Sequence, residues 1–313
     1  SVDKSNPAAV LDALGIDVML ANRVTMSPPL TAPRFRYVGY VDALMYPLDN
    51  ASMMKDPDKK AFFALEEKLL KRYNPGAKPA TLDEYLNNVV RPTLEGHRKA
   101  GAVAEKFEMA YLRGFDIGNP SKSDAEKAYS GRGDYKALQD YLFRFLAAEC
   151  GRLGMAVHIH VSAAAGAYFD IAGGNPLLLE PVLHDPAMRK TNFVLLHGGW
   201  PFIGEMTALL ENPNVYTDIS GHTSDFYPRE VSVNIRKWLE YEPEKVLYGT
   251  DAYPFSKELG WEEAGYIANK TGREALGLAL TGMLRDEEIT RDRAIELARM
   301  VLRENASKLY GLN

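Results

Sequence analysis

The feature that most constrains this fold is a regular alternation of short apolar runs with longer amphipathic segments. Seven runs have the length and β-branched content of strands that are covered on both faces. These runs are residues 16–21, 36–41, 101–107, 155–161, 192–199, 214–220 and 245–251. Strands that alternate with helices predict a parallel sheet with right-handed crossovers. The sequence therefore predicts an α/β fold, specifically a (β/α)8 TIM-type barrel with parallel strands.

The length of the chain, 313 residues, suits one barrel domain over residues 1–313. Residues 43–100 carry two helical patterns without a strand signal between them, which predicts a helical insertion between strands 3 and 4 of the barrel. Residues 261–313 read as C-terminal helices. A barrel of this type needs eight strands. We therefore expect its first strand to precede Ser1, and an open seven-stranded variant is the alternative.

The charge and cysteine content narrow the class of protein. The net charge is -5, and no Lys/Arg run is long enough to predict a nucleic-acid or membrane surface. Cys150 is the one cysteine, so an internal disulfide is impossible, and its apolar helical surroundings indicate a core thiol. No apolar run reaches the ~18 residues of a membrane span. These properties favour a cytoplasmic protein with a small-molecule substrate and leave homo-oligomers open.

Three predicted strands end in residue types that commonly bind metal ions, histidine and aspartate. His158 and His160 close one strand, His197 closes the next, and Asp251 closes the last. In an α/β barrel these ends meet at the catalytic face. Imidazole and carboxylate ligands favour Zn²⁺, with Mn²⁺ as an alternative. Such an ion lowers the pKa of water to about 7 and polarises a carbonyl, while an aspartate beside it can carry the proton.

Each motif by itself has a simpler interpretation. A strand with the H-x-H pattern can hold one buried, hydrogen-bonded histidine and one surface histidine. The LLHGG run can be a histidine fixed by a turn, and the aspartate of YGTD can cap a helix or a turn. The three together, in order and on separate strand ends, are far more specific than any one of them.

Longer runs carry a resemblance to a known family. The runs are HIHVSAAAGAYFDIAGGNPLLLEPVLHDP, FVLLHGGWPF, VYTDIS, LYGTDAYP and ARMVLRENASKLYGL. They resemble the amidohydrolase-2 (amidohydrolase-related) family of the metal-dependent hydrolase superfamily, and within it the branch whose amidohydrolase domain is attached to glutamine synthetase-like proteins. The resemblance implies His160 and His197 as metal ligands and Asp251 as ligand and proton shuttle. It also implies Lys106 as a carboxylated metal ligand or as an anion-binding residue.

Lys106 lies at the end of the strand at residues 101–107, and Glu108 would share its face if the strand continued. A buried lysine needs a ligand, a carbamate or an acidic partner. The alternative to a metal role is therefore an ion pair of Lys106 with Glu108 or Asp251.

The remaining candidates are substrate contacts at the same face: His158, Tyr111, Arg113, His222, Trp200, Tyr168 and Phe169. The aromatic ones could line an apolar pocket, and Arg113 could bind a carboxylate. Surface roles are the alternatives for Arg113 and His222. His97 and His184 read as solvated helix residues.

The superfamily's H-x-H pair on the first strand is absent from residues 1–157. The leading interpretation is a metal-dependent hydrolase of a C–N or C–O bond in a small, carboxylated substrate, acting through a metal-activated water with Asp251 as proton shuttle. A nonhydrolytic decarboxylase on the same barrel, with Arg113 or Lys106 as the carboxylate anchor, is the first alternative. A metal-depleted, non-catalytic barrel is the second.

Overall fold

The computed structural model describes residue 3 and residues 5–51, 53–57, 59–161 and 170–312. Tyr168 and Phe169, two of the predicted pocket residues, lie outside the described residues. The chain divides into two compact units, which are described separately. Unit 1 comprises Ser1–Met19, Ser27–Phe35 and Val194–Asn313, and unit 2 comprises Leu20–Met26 and Arg36–Phe193. The expectation of a single domain stays a prediction.

Strands and helices alternate along the chain as the sequence predicts. The strands are β1 Met19–Asn22, β2 Phe35–Tyr40, β3 Ala102–Phe107, β4 Ala156–His160, β5 Phe193–Leu196, β6 Val215–Asp218 and β7 Val246–Leu247. The helices are α1 Pro7–Leu14, α2 Lys60–Tyr73, α3 Leu82–Tyr85, α4 Arg91–Lys99, α5 Lys122–Tyr129, α6 Tyr135–Arg152, α7 Glu180–Leu183, α8 Ile203–Leu209, α9 His222–Asp225, α10 Pro228–Tyr241, α11 Trp261–Arg285, α12 Arg291–Arg299 and α13 Asn305–Tyr310. The predicted α/β class with parallel strands is confirmed.

In unit 2, strands β2, β3 and β4 are neighbours in chain order and pair in parallel. Lys106 on β3 is the register partner of His158 on β4. Register partners in a sheet project to the same face, so this pairing brings the two polar side chains to one side. Leu138, Leu142 and Leu146 of α6 repeat every four residues and are completely buried, and they form the core face of that helix.

The predicted helical insertion consists of α2, α3 and α4, with a π turn at Leu86–Val90 joining the last two. Thr81 begins α3 with a capping box: its hydroxyl accepts from the backbone N–H of Glu84, and the Glu84 carboxylate accepts from the backbone N–H of Thr81. Buried apolar residues, among them Phe63 on α2 and Leu94 on α4, fix these helices to unit 2.

In unit 1, β6 and β7 pair in parallel, with Asp218 opposite Leu247. Helix α1 has the predicted ends, because the Asn6 side chain caps it, Pro7 is its first residue and Gly15 ends it in the left-handed conformation. Helix α10 buries Trp238 completely and packs against α11. The predicted C-terminal helices are present as α11, α12 and α13.

Cys150 is buried in α6, as expected for a core thiol. Its burial holds the pKa of the thiol well above the usual value. No helix in the described ranges is both long enough and apolar enough to cross a bilayer.

Candidate functional site

In unit 1, a chain of hydrogen bonds holds His197 just after β5. Its backbone N–H donates to Oδ1 of Asp218 over 2.8 Å, and Asp218 is the last residue of β6. The hydroxyl of Ser220 donates to the same Oδ1 over 2.8 Å. The ring Nδ1 of His197 lies 2.8 Å from the Ser220 oxygen. The ends of two adjacent strands therefore fix both the backbone and the ring of this predicted ligand.

The backbone is strained at two predicted ligands in unit 1. Among the described non-glycine residues, positive φ occurs at His197 (67°), Asp251 (49°) and Glu287 (60°). Left-handed backbone is unfavourable for a residue with a side chain and persists where the surrounding structure enforces it. Two of these three residues, His197 and Asp251, are among the metal ligands that the sequence predicts. Such strain clusters at functional sites.

His222 is buried at the start of α9, next to the loop that carries His197. A Cβ atom on Gly198 would lie 3.1 Å from its ring, and the ring of Trp238 stacks on it with centroids 6.5 Å apart. Burial, and then the charge of His197, lower the pKa of His222 to about 4. His222 is therefore a neutral imidazole at neutral pH, and the alternative of a solvated loop residue is wrong.

The pKa of Asp225 responds to two of the unit 1 candidates, His197 and Asp251. Burial raises its pKa, the charge of Asp251 raises it further, and the charge of His197 opposes both effects. These three residues are therefore close enough to influence each other's charge. Trp200 is partly exposed and packs on Phe226 with ring centroids 5.5 Å apart, which is compatible with a substrate contact.

In unit 2, Lys106 is a buried cation, with 2% of its surface exposed. The ion pairs within the described part of unit 2 do not include it, so the alternative ion pair of Lys106 with Glu108 is not formed. Burial, and then the charge of Lys106, lower the pKa of neighbouring His158 to about 3. The strand ends of β3 and β4 thus present one cation beside one neutral imidazole.

Sequence reasoning missed a carboxyl cluster of unit 2, formed by Asp42, Glu66 and Glu108. Both oxygens of Asp42 accept the backbone N–H of Glu108, over 2.9 and 2.8 Å. Burial raises the pKa of Asp42 to about 8, where Glu108 adds to the shift and Lys106 opposes it. Burial, and then the charges of Asp42 and Glu108, raise the pKa of Glu66 to about 9. Asp42 could have been found, because it directly follows a predicted strand, whereas Glu66 carries no such signal.

Two further candidates of unit 2, Tyr111 and Arg113, follow β3 in the chain. The ring of Tyr111 lies 4.7 Å from that of His160 and stacks on Phe62 at 4.8 Å. Arg113 is only 11% exposed and forms an ion pair of 2.7 Å with buried Asp140. The surface role for Arg113 is therefore wrong, and a substrate carboxylate would have to compete with Asp140.

His97 is also not a solvated residue, in contrast to the sequence interpretation. Its side chain is 12% exposed, and Nδ1 lies 3.0 Å from a carboxylate oxygen of Glu105. Glu105 is fully buried on β3, and it draws the imidazole of α4 against the sheet. Nothing in the sequence showed that Glu105, two residues before the end of a predicted strand, would be the partner of His97. His184 is exposed, as expected.

The donor types suit a divalent ion, because the strand ends supply imidazole rings and a carboxylate. In unit 1 the Nδ1 of His197 is engaged by Ser220. Groups of three His, Cys, Asp or Glu side chains close enough to hold a metal are absent from the described residues.

Comparison with known proteins identifies the family. The profile of the Amidohydrolase family matches residues 92–312, and the chain belongs to this family. Protein fluG of Emericella nidulans is 25% identical over 232 residues, which are 67% of this chain and 26% of that protein. The chain thus spans about a quarter of the length of this curated relative.

Solved structures share the fold at low identity. Uronate isomerase of Thermotoga maritima has a TM-score of 0.68 and 14% identity, over 97% of this chain and 70% of that one. Glucuronate isomerase of Caulobacter crescentus has a TM-score of 0.66 and 12% identity, over 98% and 66% of the two chains. A Lactobacillus casei protein assigned as a metal-dependent hydrolase has a TM-score of 0.62 and 18% identity, over 96% and 75%. The fold is thus shared by hydrolases and isomerases.

Proposed function

We propose that this chain is a metal-dependent hydrolase that cleaves a C–N or C–O bond in a small, carboxylated substrate. The observation that carries the proposal is the backbone conformation of His197 and Asp251 and their shared influence on Asp225. The family resemblance implies that both residues are ligands, both have left-handed backbone, and both influence the pKa of Asp225. Membership of the amidohydrolase family supports the same reaction class.

The proposed ligands are His160, His197, Asp251 and Lys106, with Zn²⁺ as the ion and Mn²⁺ as an alternative. When bound, such an ion polarises a carbonyl and acidifies water. Asp251 takes a proton from the attacking water as the new C–O bond forms, and gives it to the departing nitrogen or oxygen as the old bond breaks. Lys106 serves either as a carboxylated ligand or as an uncarboxylated cation.

A carboxylated substrate follows from the charges of unit 2. Lys106 is buried and has no ion-pair partner among the described residues, so an anionic group of the substrate would compensate it. Arg113 is the weaker anchor, since Asp140 already pairs with it. Neutral His158 and the ring of Tyr111 would contact the substrate beside Lys106, and His222 and Trp200 are the proposed contacts from unit 1.

Metal analysis of the purified protein tests the ligand assignment. We expect about one or two equivalents of zinc or manganese, and we expect the double variant His160→Ala, His197→Ala to lose the metal. The matched control is His184→Ala, because His184 is exposed and should leave the metal content unchanged. Full metal retention in the double variant would contradict the assignment.

Asp251→Asn tests the proton shuttle. We expect turnover to fall by about 10²–10⁴-fold, the usual contribution of a general acid–base group, with the fold retained by circular dichroism. Asp124→Asn is the control, because Asp124 is exposed on α5. Undiminished turnover of Asp251→Asn would refute the role of Asp251.

A substrate panel separates the reaction classes. Incorporation of labelled water into products of carboxylated amides, esters or lactones would support hydrolysis. Release of carbon dioxide would instead support the decarboxylase. Uronates belong in the same panel, because two proteins with this fold are uronate isomerases; interconversion without either signal would support isomerisation.

A further inference from the structure

We propose that Asp218 and Ser220 are positioning residues that hold His197 in the tautomer with the proton on Nδ1, so that Nε2 is the ligating atom. The ligand role of Nε2 rests on the proposed function. The tautomer itself does not, because it follows from hydrogen bonds within unit 1.

The assignment follows from counting protons. The carboxylate of Asp218 can only accept, and its Oδ1 receives both the backbone N–H of His197 and the hydroxyl of Ser220. A serine hydroxyl has one proton, and this one is given to Asp218. The Ser220 oxygen can therefore only accept from Nδ1 of His197, 2.8 Å away. Nδ1 must carry a proton, and in the neutral imidazole Nε2 then has the lone pair.

The surrounding backbone leaves this chain little freedom. All three residues are buried. A Cβ atom on Gly249 would lie 2.2 Å from Oδ2 of Asp218 and 2.8 Å from Cβ of Ser220. Gly221 has a φ of +71°, and a Cβ there would lie 3.1 Å from Nδ1 of His197. Close backbone on two sides therefore keeps the serine and the aspartate in place.

Two side chains at the end of β6 act on one histidine. Asp218 is the last residue of β6, and Ser220 follows it in a turn, where its oxygen lies 2.8 Å from both Oδ1 of Asp218 and Nδ1 of His197. One holds the backbone of His197 and the other its ring. Groups that orient a metal-binding histidine in this way typically contribute 10–100-fold in metal affinity.

The test reads the tautomer directly in metal-free protein. Long-range ¹H–¹⁵N spectra distinguish a protonated Nδ1 from a protonated Nε2, and the His197 signals are assigned by their loss in His197→Gln. We expect Nδ1–H in the native protein and a shift toward Nε2–H in Ser220→Ala. Asp218→Asn should keep Nδ1–H, because its amide oxygen can still accept both bonds. Asp218→Ala should lose it.

Thr217→Val is the matched control. The Thr217 hydroxyl is buried on the same strand and donates to the carbonyl of Leu195, over 2.9 Å, away from His197. We expect its tautomer and its metal affinity to be unchanged, whereas Ser220→Ala should bind zinc about 10–100-fold more weakly. Nε2–H in the native protein, or an unchanged tautomer in Ser220→Ala, would overturn the inference. A correct tautomer response without any metal binding would instead count against the proposed function.

Discussion

The two units hold their functional groups in opposite ways. In unit 1, His197 is fixed by its hydrogen bonds to Asp218 and Ser220 and by strained backbone. In unit 2, Lys106 is held by burial, next to a neutral histidine and two carboxyl groups whose pKa values are raised. The turn that carries His197 is thus preorganised by hydrogen bonds, whereas Lys106 is a buried charge that the ion pairs of the described residues do not compensate.

The difference indicates that unit 1 orients a metal ligand, whereas unit 2 binds an anionic group. Satisfied hydrogen bonds stabilise one orientation of a side chain, as a metal ligand requires. A buried charge without an ion pair costs stability and gains most from a ligand of opposite charge. We therefore expect variants around His197 in unit 1 to lose both stability and the orientation of that residue. We expect variants of Lys106 in unit 2 to gain stability and to lose affinity for the substrate.

Gly198→Ala should have the largest effect on stability. The φ of Gly198 is +59°, and a Cβ there would lie 2.4 Å from the ring of buried Trp238. Left-handed backbone and overpacking together should lower the unfolding free energy by about 2–4 kcal/mol, measured by urea denaturation. The same substitution should displace His197 and weaken metal binding.

Gly204→Ala is the control for that variant. Gly204 lies in α8, and a Cβ there would meet nothing within 4 Å. Alanine favours a helix over glycine by about 0.5–1 kcal/mol, so this variant should be at least as stable as the native protein. Equal stability of the two alanine variants would show that the His197 turn of unit 1 is not rigid.

Lys106→Met and Ser220→Ala compare the two units directly, because they should change the unfolding free energy in opposite directions. Removal of a buried cation without an ion pair should raise the unfolding free energy by about 1–2 kcal/mol, while affinity for carboxylated substrates falls. Ser220→Ala in unit 1 should lower it by about 1 kcal/mol, the contribution of a hydrogen bond. Destabilisation by Lys106→Met would show that the lysine has a stabilising partner.

Asp42→Asn tests the description of unit 2 and should be visible as a change in the pH dependence of the unfolding free energy. Folded Asp42 keeps its proton until about pH 8, whereas the unfolded chain releases it near the ordinary value. The folded state therefore binds more protons between about pH 4 and pH 8, and stability falls as pH rises. Asp42→Asn should reduce this fall by up to about 1.4 kcal/mol per pH unit.

Exposed Asp124 supplies the control, since Asp124→Asn should leave the slope of stability against pH unchanged in this range. A native protein whose stability does not fall with rising pH would contradict the raised pKa of Asp42. An unchanged slope in Asp42→Asn alone would assign the titration to Glu66 instead.

Residues with local signals could be predicted from the sequence. Short apolar runs identified all seven strands, and the ends of α1 followed from Asn6, Pro7 and Gly15. His160, His197 and Asp251 were selected because each closes such a run. Asp218 and Ser220 lay within a run that was recognised as a strand, yet nothing local showed that their side chains would reach His197.

Contacts between distant residues could not be predicted in this way. The sequence by itself determined the α/β class, the helical insertion and the family, because periodicity and motifs are local properties of a chain. Only the tertiary structure decided that Glu105 contacts His97, that burial raises the pKa values of Asp42 and Glu66, and that Ser220 contacts the ring of His197. Burial and hydrogen-bond partners arise when strands and helices pack, and a pKa or a tautomer depends on both.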